Sequence, residues 1–105
     1  MNLSMIKQAF ELKSKLEKAQ KELGKMKVEA ESGNGAVKVT ANGRQQILSI
    51  KISPDAIDTD RPDKLDKLEK LVLTAVSEAL DKSKKLADKH LGELTGGIKI
   101  PGITE

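Results

Sequence analysis

Few residues of this 105-residue chain are able to perform acid–base or covalent chemistry. His90 is the single histidine, and the chain contains no cysteine. Asp88 and Glu93 are close to His90 in sequence, but residues two apart on a helix face different directions, so the three side chains do not converge. The sequence also lacks a serine nucleophile motif. We therefore predict no catalytic residue, no metal site, no cofactor and no small-molecule substrate.

Lysine is the residue type whose placement indicates a partner. The formal net charge is +3, and the whole excess lies in residues 1–25. A localised basic surface attracts polyanions. Because Phe10 is the only aromatic residue, the chain lacks the rings on which single-stranded bases stack, whereas duplex phosphates require only basic side chains. The residues predicted to contact duplex DNA are Lys7, Lys13, Lys15, Lys18, Lys21, Lys25, Lys82, Lys84, Lys85 and Lys89.

A solvated helix surface is a second explanation for the same lysines. Oppositely charged residues four apart stabilise a helix without contacting any ligand. The first 25 residues contain three such pairs: Glu11–Lys15, Glu17–Lys21 and Lys18–Glu22. In the later cluster, Asp81 and Asp88 interrupt the lysines. From the lysines alone, both explanations stay open.

Two long helices are predicted to carry these lysines. Apolar residues recur in steps of four and three from Met5 to Met26, which predicts a helix over about residues 2–25, about 35 Å long. Helical spacing resumes at Leu65, after helix-start signals that include Pro62, and predicts a second helix over about residues 62–93. A short sheet cannot cover a helix of about 45 Å, so one end should project.

The region between the helices alternates between apolar and polar residues, which predicts a three-stranded antiparallel meander over about residues 26–53. Asn42-Gly43 predicts a two-residue type I′ turn. In the third strand, about residues 44–53, Ile50 is expected on one face and Ile47 on the other. The fold class is α+β, a single domain over residues 1–105 with the order α-β-β-β-α, and an apolar tail over 96–105.

A single copy of this fold would leave both sheet edges and the apolar stripes of its helices uncovered. Pairing two subunits covers such surfaces, so we predict a homodimer. The residues predicted at its interface are Ile47, Val37, Val39 and Ile50.

The sequence also bears on location. It has no run of about 18 apolar residues that would span a membrane, and the first ten residues lack the apolar stretch of a signal peptide. We expect a cytoplasmic protein. Attachment of the first helix to a membrane surface is disfavoured because that helix has few bulky apolar residues beyond Phe10.

Three blocks of sequence occur in order along the chain. They are Ser32 to Gly43, Ile50 to Pro54, and Gly97 to Gly102. Together with Ile6-Lys7-Gln8-Ala9, they resemble the YbaB/EbfC family of bacterial nucleoid-associated proteins. The resemblance implies a DNA-binding homodimer located at the nucleoid, with helices that project from a central sheet like tweezers. It also implies that DNA contacts come from both helices, and a role in nucleoid organisation or gene regulation.

A different class of function stays open beside DNA binding. Two helices with seven-residue repeats, joined by a small sheet, are also typical of a protein-interaction or chaperone-like scaffold. Binding to random-sequence duplex DNA at low salt distinguishes the two classes.

Overall fold

The computed structural model describes residues 2–57 and 60–94. Its elements are α1 (Leu3–Lys25), β1 (Lys27–Ser32), β2 (Val37–Asn42), β3 (Ile47–Ile52), a short 3₁₀ turn (Pro54–Ala56) and α2 (Pro62–Leu94). The strands form one antiparallel sheet in the order β1-β2-β3, which confirms the predicted α-β-β-β-α fold. The predicted apolar tail, 96–105, lies outside the described residues.

The first helix begins at a side-chain cap and continues away from the rest of the chain. Asn2 is the N-cap, and its Oδ1 accepts a hydrogen bond of 2.8 Å from the Met5 amide, as N-cap residues do. Every residue from 2 to 15 is exposed. The molecule therefore measures 70 × 22 × 18 Å. We call residues 3–15 of α1 the arm.

The main core lies between α2 and the strands β1 and β2. Ala75 and Ala79 of α2 are fully buried against Val37 and Val39 of β2. Two alanines on the inner side of α2 allow its backbone to approach the sheet closely. Val37 and Val39 are predicted at the dimer interface, but α2 of their own chain already buries them.

The sheet departs from the prediction at β3. Ile47 lies opposite Ala41, with a register shift beside it, and Ile50 lies opposite Val39. Since directly opposed residues share a face, Ile47 and Ile50 both lie on the side of the sheet that α2 covers. The expectation that Ile47 faces the other side is wrong, because the bulge adds one residue and reverses the alternation.

The turn between β2 and β3 also differs from the predicted two-residue type I′ turn. Neither Asn42 nor Gly43 has a positive φ, and Gln45 does, at 59°. The Gly43 amide donates to the Leu23 carbonyl at 2.8 Å, and a Cβ at Gly43 would lie 2.9 Å from that oxygen. Asn42 Oδ1 accepts hydrogen bonds from the amides of Arg44 and Gln46. The loop is longer than predicted because the C-terminal end of α1, which we call its base, docks on it.

Ser83 of α2 fixes the same loop from the other side. Its hydroxyl donates to the Asn42 carbonyl at 2.6 Å and accepts from the Gln45 amide at 2.9 Å, and its side chain is fully buried. We expect Ser83→Ala to lower the free energy of unfolding by about 2 kcal/mol, because two loop groups lose their partner. Urea unfolding at a fixed protein concentration measures this, with exposed Ser77→Ala as the control. Equal stability of the two variants would contradict the assignment.

Candidate nucleic-acid interface

The lysine-bearing parts of the two helices are held together by a second, smaller core. Ala19 and Leu23 of α1 pack with Leu91 of α2, and all three are at most 2% exposed. Beside them, Glu22 Oε2 and His90 Nε2 are 2.9 Å apart. This contact fixes the base of α1 against the C-terminal half of α2 and leaves the arm extending beyond it.

The six predicted lysines of α1 are all exposed. Lys18, Lys21 and Lys25 follow at steps of three and four, and each lies about 140–160° around the helix from the buried Leu23. They therefore form one ladder on the side of α1 opposite α2. Lys7 continues the ladder along the arm. Lys13 and Lys15 are exposed outside it.

The predicted lysines differ in whether their ammonium groups are already engaged. Lys82 Nζ donates to the Glu29 carbonyl at 2.8 Å, which ties α2 to β1. The other engaged lysines form ion pairs within one helix, Lys85–Asp81 at 3.0 Å and Lys13–Glu17 at 3.9 Å. Within the described residues, the other seven predicted lysines have no such partner: Lys7, Lys15, Lys18, Lys21, Lys25, Lys84 and Lys89.

The structure does not bring the two lysine clusters together. Lys85 lies about 140° around α2 from His90, which faces α1, and Lys89 lies about 100° from it. The α1 ladder also faces away from the contact between the helices. The clusters thus occupy opposite sides of the helix pair, so they present two separate basic surfaces.

Arg44 is a basic residue near the ladder that the sequence did not indicate. It is exposed in the loop after β2, and its Cδ lies 3.4 Å from the position a Cβ would take on Gly24. Its stem therefore runs along the last turns of α1, and Gly24 and Lys21 are neighbours three apart on that helix. No local pattern predicts this placement, because it depends on the docking of α1 onto the loop.

The structure gives the one histidine a packing role. His90 is half-buried beside Glu22 at the junction of the helices, away from Asp88, which lies two residues earlier on the same helix. No group of three or more metal-ligating side chains occurs within residues 2–57 and 60–94. In that same part of the chain, neither helix has a stretch apolar and long enough to cross a bilayer.

The chain is similar to known proteins over nearly its whole length. The sequence model of the YbaB/EbfC DNA-binding family matches residues 1–98. A nucleoid-associated protein of Pelotomaculum thermopropionicum is 43% identical over 99 residues, covering 94% of this chain and 91% of that protein. Another, of Myxococcus xanthus, is 44% identical over 99 residues with the same coverage.

A solved structure shares the fold. The crystal structure of the uncharacterized protein HP0035 from Helicobacter pylori superimposes with a TM-score of 0.75, covering 91% of this chain and 99% of that one. The sequences are 13% identical, so this similarity concerns the arrangement of helices and strands.

Proposed function

Because the chain belongs to the YbaB/EbfC DNA-binding family, we propose that it is a nucleoid-associated protein that binds duplex DNA mainly through phosphate contacts. The α1 ladder is the primary contact surface in this proposal. The protein acts at the nucleoid, in its organisation or in gene regulation. The curated relatives are named nucleoid-associated proteins, which supports this role.

One observation carries the proposal, namely that Lys18, Lys21 and Lys25 are exposed, aligned and without a partner among the described residues. The ladder is about 10 Å long. A parallel stretch of duplex of that length carries about six phosphate charges. If these lysines served only to form helix-stabilising charge pairs, their ammonium groups would pair with Glu17 and Glu22. Instead, Glu17 pairs with Lys13, and Glu22 pairs with His90.

Phosphate contacts give little sequence preference, since they carry no base information. Arginine is the usual reader of guanine, and the chain has only Arg44 and Arg61. Neither lies within a helix. We therefore propose shallow sequence preference, with Arg44 adding a further phosphate contact at the base of α1.

The proposal includes a homodimer that presents two such ladders. Ile47, Ile50 and Ile52 of β3 are 37–46% exposed on the core side of the sheet. Exposed apolar patches commonly mark protein–protein interfaces. These isoleucines, which lie beside the existing core, therefore support burial of this surface by a second subunit.

A gel-shift titration with random-sequence duplex tests the function. With about six phosphate contacts per dimer, affinity should fall about 1,000-fold between 50 and 200 mM salt. Single-stranded DNA of the same length is the comparison, and it should bind more weakly because the chain lacks stacking rings. No shift of duplex at 50 mM salt would overturn the proposal and favour a protein-interaction scaffold.

A further inference from the structure

One edge of the sheet, along β3, has no strand beside it within the described residues. The Ser53 amide, just after β3, donates to the Ala36 carbonyl at 2.8 Å. Because hydrogen-bonded pairs alternate along an antiparallel ladder, every second residue before Ser53 also bonds to β2. Ile50 and Ile52 therefore direct their N–H and C=O groups away from β2. Such an edge can pair with a further strand.

The two edge strands of the sheet differ in how they are protected from such pairing. β1 carries charged residues at three of its six positions, Lys27, Glu29 and Glu31, and charged side chains discourage edge-to-edge pairing. β3 carries one, Lys51. The other large side chains of β3 are apolar and 37–49% exposed: Ile47, Leu48, Ile50 and Ile52. The sequence of β3 is thus typical of an edge that a partner covers.

The apolar surface continues beyond the end of β3. Ile57 and Leu65 are both more than half exposed. They line one cavity of about 240 Å³, formed by the end of the 3₁₀ turn and the first two turns of α2. Contiguous apolar surface, unlike single scattered residues, marks a protein–protein contact.

We propose that a second copy of this chain pairs with this edge, β3 against β3 in antiparallel orientation, so that the two sheets become one sheet of six strands. A two-fold axis perpendicular to the sheet produces this arrangement. The apolar rows of both copies then lie on the same face, about 5 Å apart. The inference rests on the homodimer of the proposed function, and it does not require DNA binding.

Charge and strand length select one register, in which Ile50 lies opposite Ile50 of the second copy. The strands then overlap over nearly their whole length, and Ser49 of each copy lies opposite Lys51 of the other. A shift of two residues in one direction places Lys51 opposite Lys51, and directly opposed like charges are destabilising. The same shift in the other direction places Ile52 opposite Gln46, which lies outside β3.

Disulfide formation between single-cysteine variants tests this register, since the chain has no native cysteine. Ser49→Cys and Lys51→Cys are oxidised separately, and also after the two proteins are unfolded in urea and refolded together. In the proposed register these two positions form a non-hydrogen-bonded pair with Cα atoms about 4.5 Å apart, which permits a disulfide. Identical positions lie about 8 Å apart, which is too far. Linked dimer, at twice 11.4 kDa, should be at least about tenfold more abundant in the mixture.

Three results would overturn the proposal, and they differ in what they mean for the dimer. Linked dimer that forms as readily from one variant alone assigns a shifted register. No linked dimer in any sample, with light scattering at the mass of two chains, keeps the homodimer of the proposed function and excludes the β3 edge as its contact. A mass of one chain refutes that homodimer as well.

Proline at Ile50 tests the backbone pairing independently. The Ile50 amide points away from β2, so Ile50→Pro removes a hydrogen bond of the proposed pair and none within one chain's sheet. Ile50→Ala is the matched control, because it also removes the large side chain but keeps the amide. The dissociation constant of the dimer should rise at least about tenfold more for Ile50→Pro, because each copy loses a donor.

Circular dichroism checks that both variants at Ile50 fold. Equal dissociation constants of the two folded variants would overturn the proposal, because apolar contact alone would then account for the dimer. If Ile50→Pro does not fold, the disulfide experiment decides.

Discussion

Replacing Lys18, Lys21 and Lys25 by Gln is expected to weaken duplex binding on every sequence alike and to flatten its salt dependence. The three side chains are exposed on the side of α1 away from α2, and Gln has nearly the helix propensity of Lys. In a dimer the change removes up to about six phosphate contacts, so the slope of log affinity against log salt should become less steep by up to about 5.

The control for this variant must change the charge equally at another site. Lys51→Gln, Lys67→Gln and Lys70→Gln remove the same three charges from exposed positions on β3 and on the first third of α2. The control should keep most of the slope, and circular dichroism should show both variants folded. If the ladder variant binds as the parent does, the contacts lie on α2. Lys84 and Lys89, which have no ion-pair partner in the described part of the chain, are then the next residues to test.

The helices and the order of elements could be predicted because their signals are local. The spacing of apolar residues in steps of four and three from Met5 to Met26 is a property of residues near each other in sequence. It correctly predicted the buried side of α1 at Ala19 and Leu23. The ladder followed from the same periodicity, since residues off the apolar stripe must face away from it.

Two features could not be predicted: the side of the sheet on which each β3 residue lies, and which lysines are engaged in contacts within the chain. Both depend on contacts between residues that are distant in sequence. The bulge that moves Ile47 to the core side accompanies a loop held by Ser83, which lies 38 residues from Gln45. Lys82 resembles any exposed lysine in sequence, yet it bonds to the backbone of β1. Arg44 joins the basic end of α1 only because that end docks on its loop.

Replacing Ile50 by Asp is expected to convert the protein from a dimer to a monomer at micromolar concentration. Light scattering should give the parent a mass near twice 11.4 kDa and the variant a mass near that of one chain. Ile50 lies opposite Val39 on the core side of β3, and it is 46% exposed. In a dimer that covers this surface, the carboxylate would be buried without a partner, and the dissociation constant should rise about 30-fold or more.

Ser49→Asp is the matched control, because it places the same charge one residue away on the opposite face. Ser49 lies opposite Thr40, and that face is lined by polar side chains such as Glu31 and Lys38. The control should stay dimeric. A parent of one-chain mass, or an Ile50→Asp variant that dimerises as the parent does, would refute this interface.

Loss of the dimer is also expected to change the salt dependence of DNA binding. A monomer presents one ladder where the dimer presents two, so its salt slope should be about half that of the parent. The Ile50→Asp variant keeps Lys18, Lys21 and Lys25, and its change lies on the sheet. A halved slope would therefore show that both ladders of the dimer contact the same duplex. An unchanged slope would mean that each subunit binds DNA independently, because the number of counterions released per complex would then not depend on pairing.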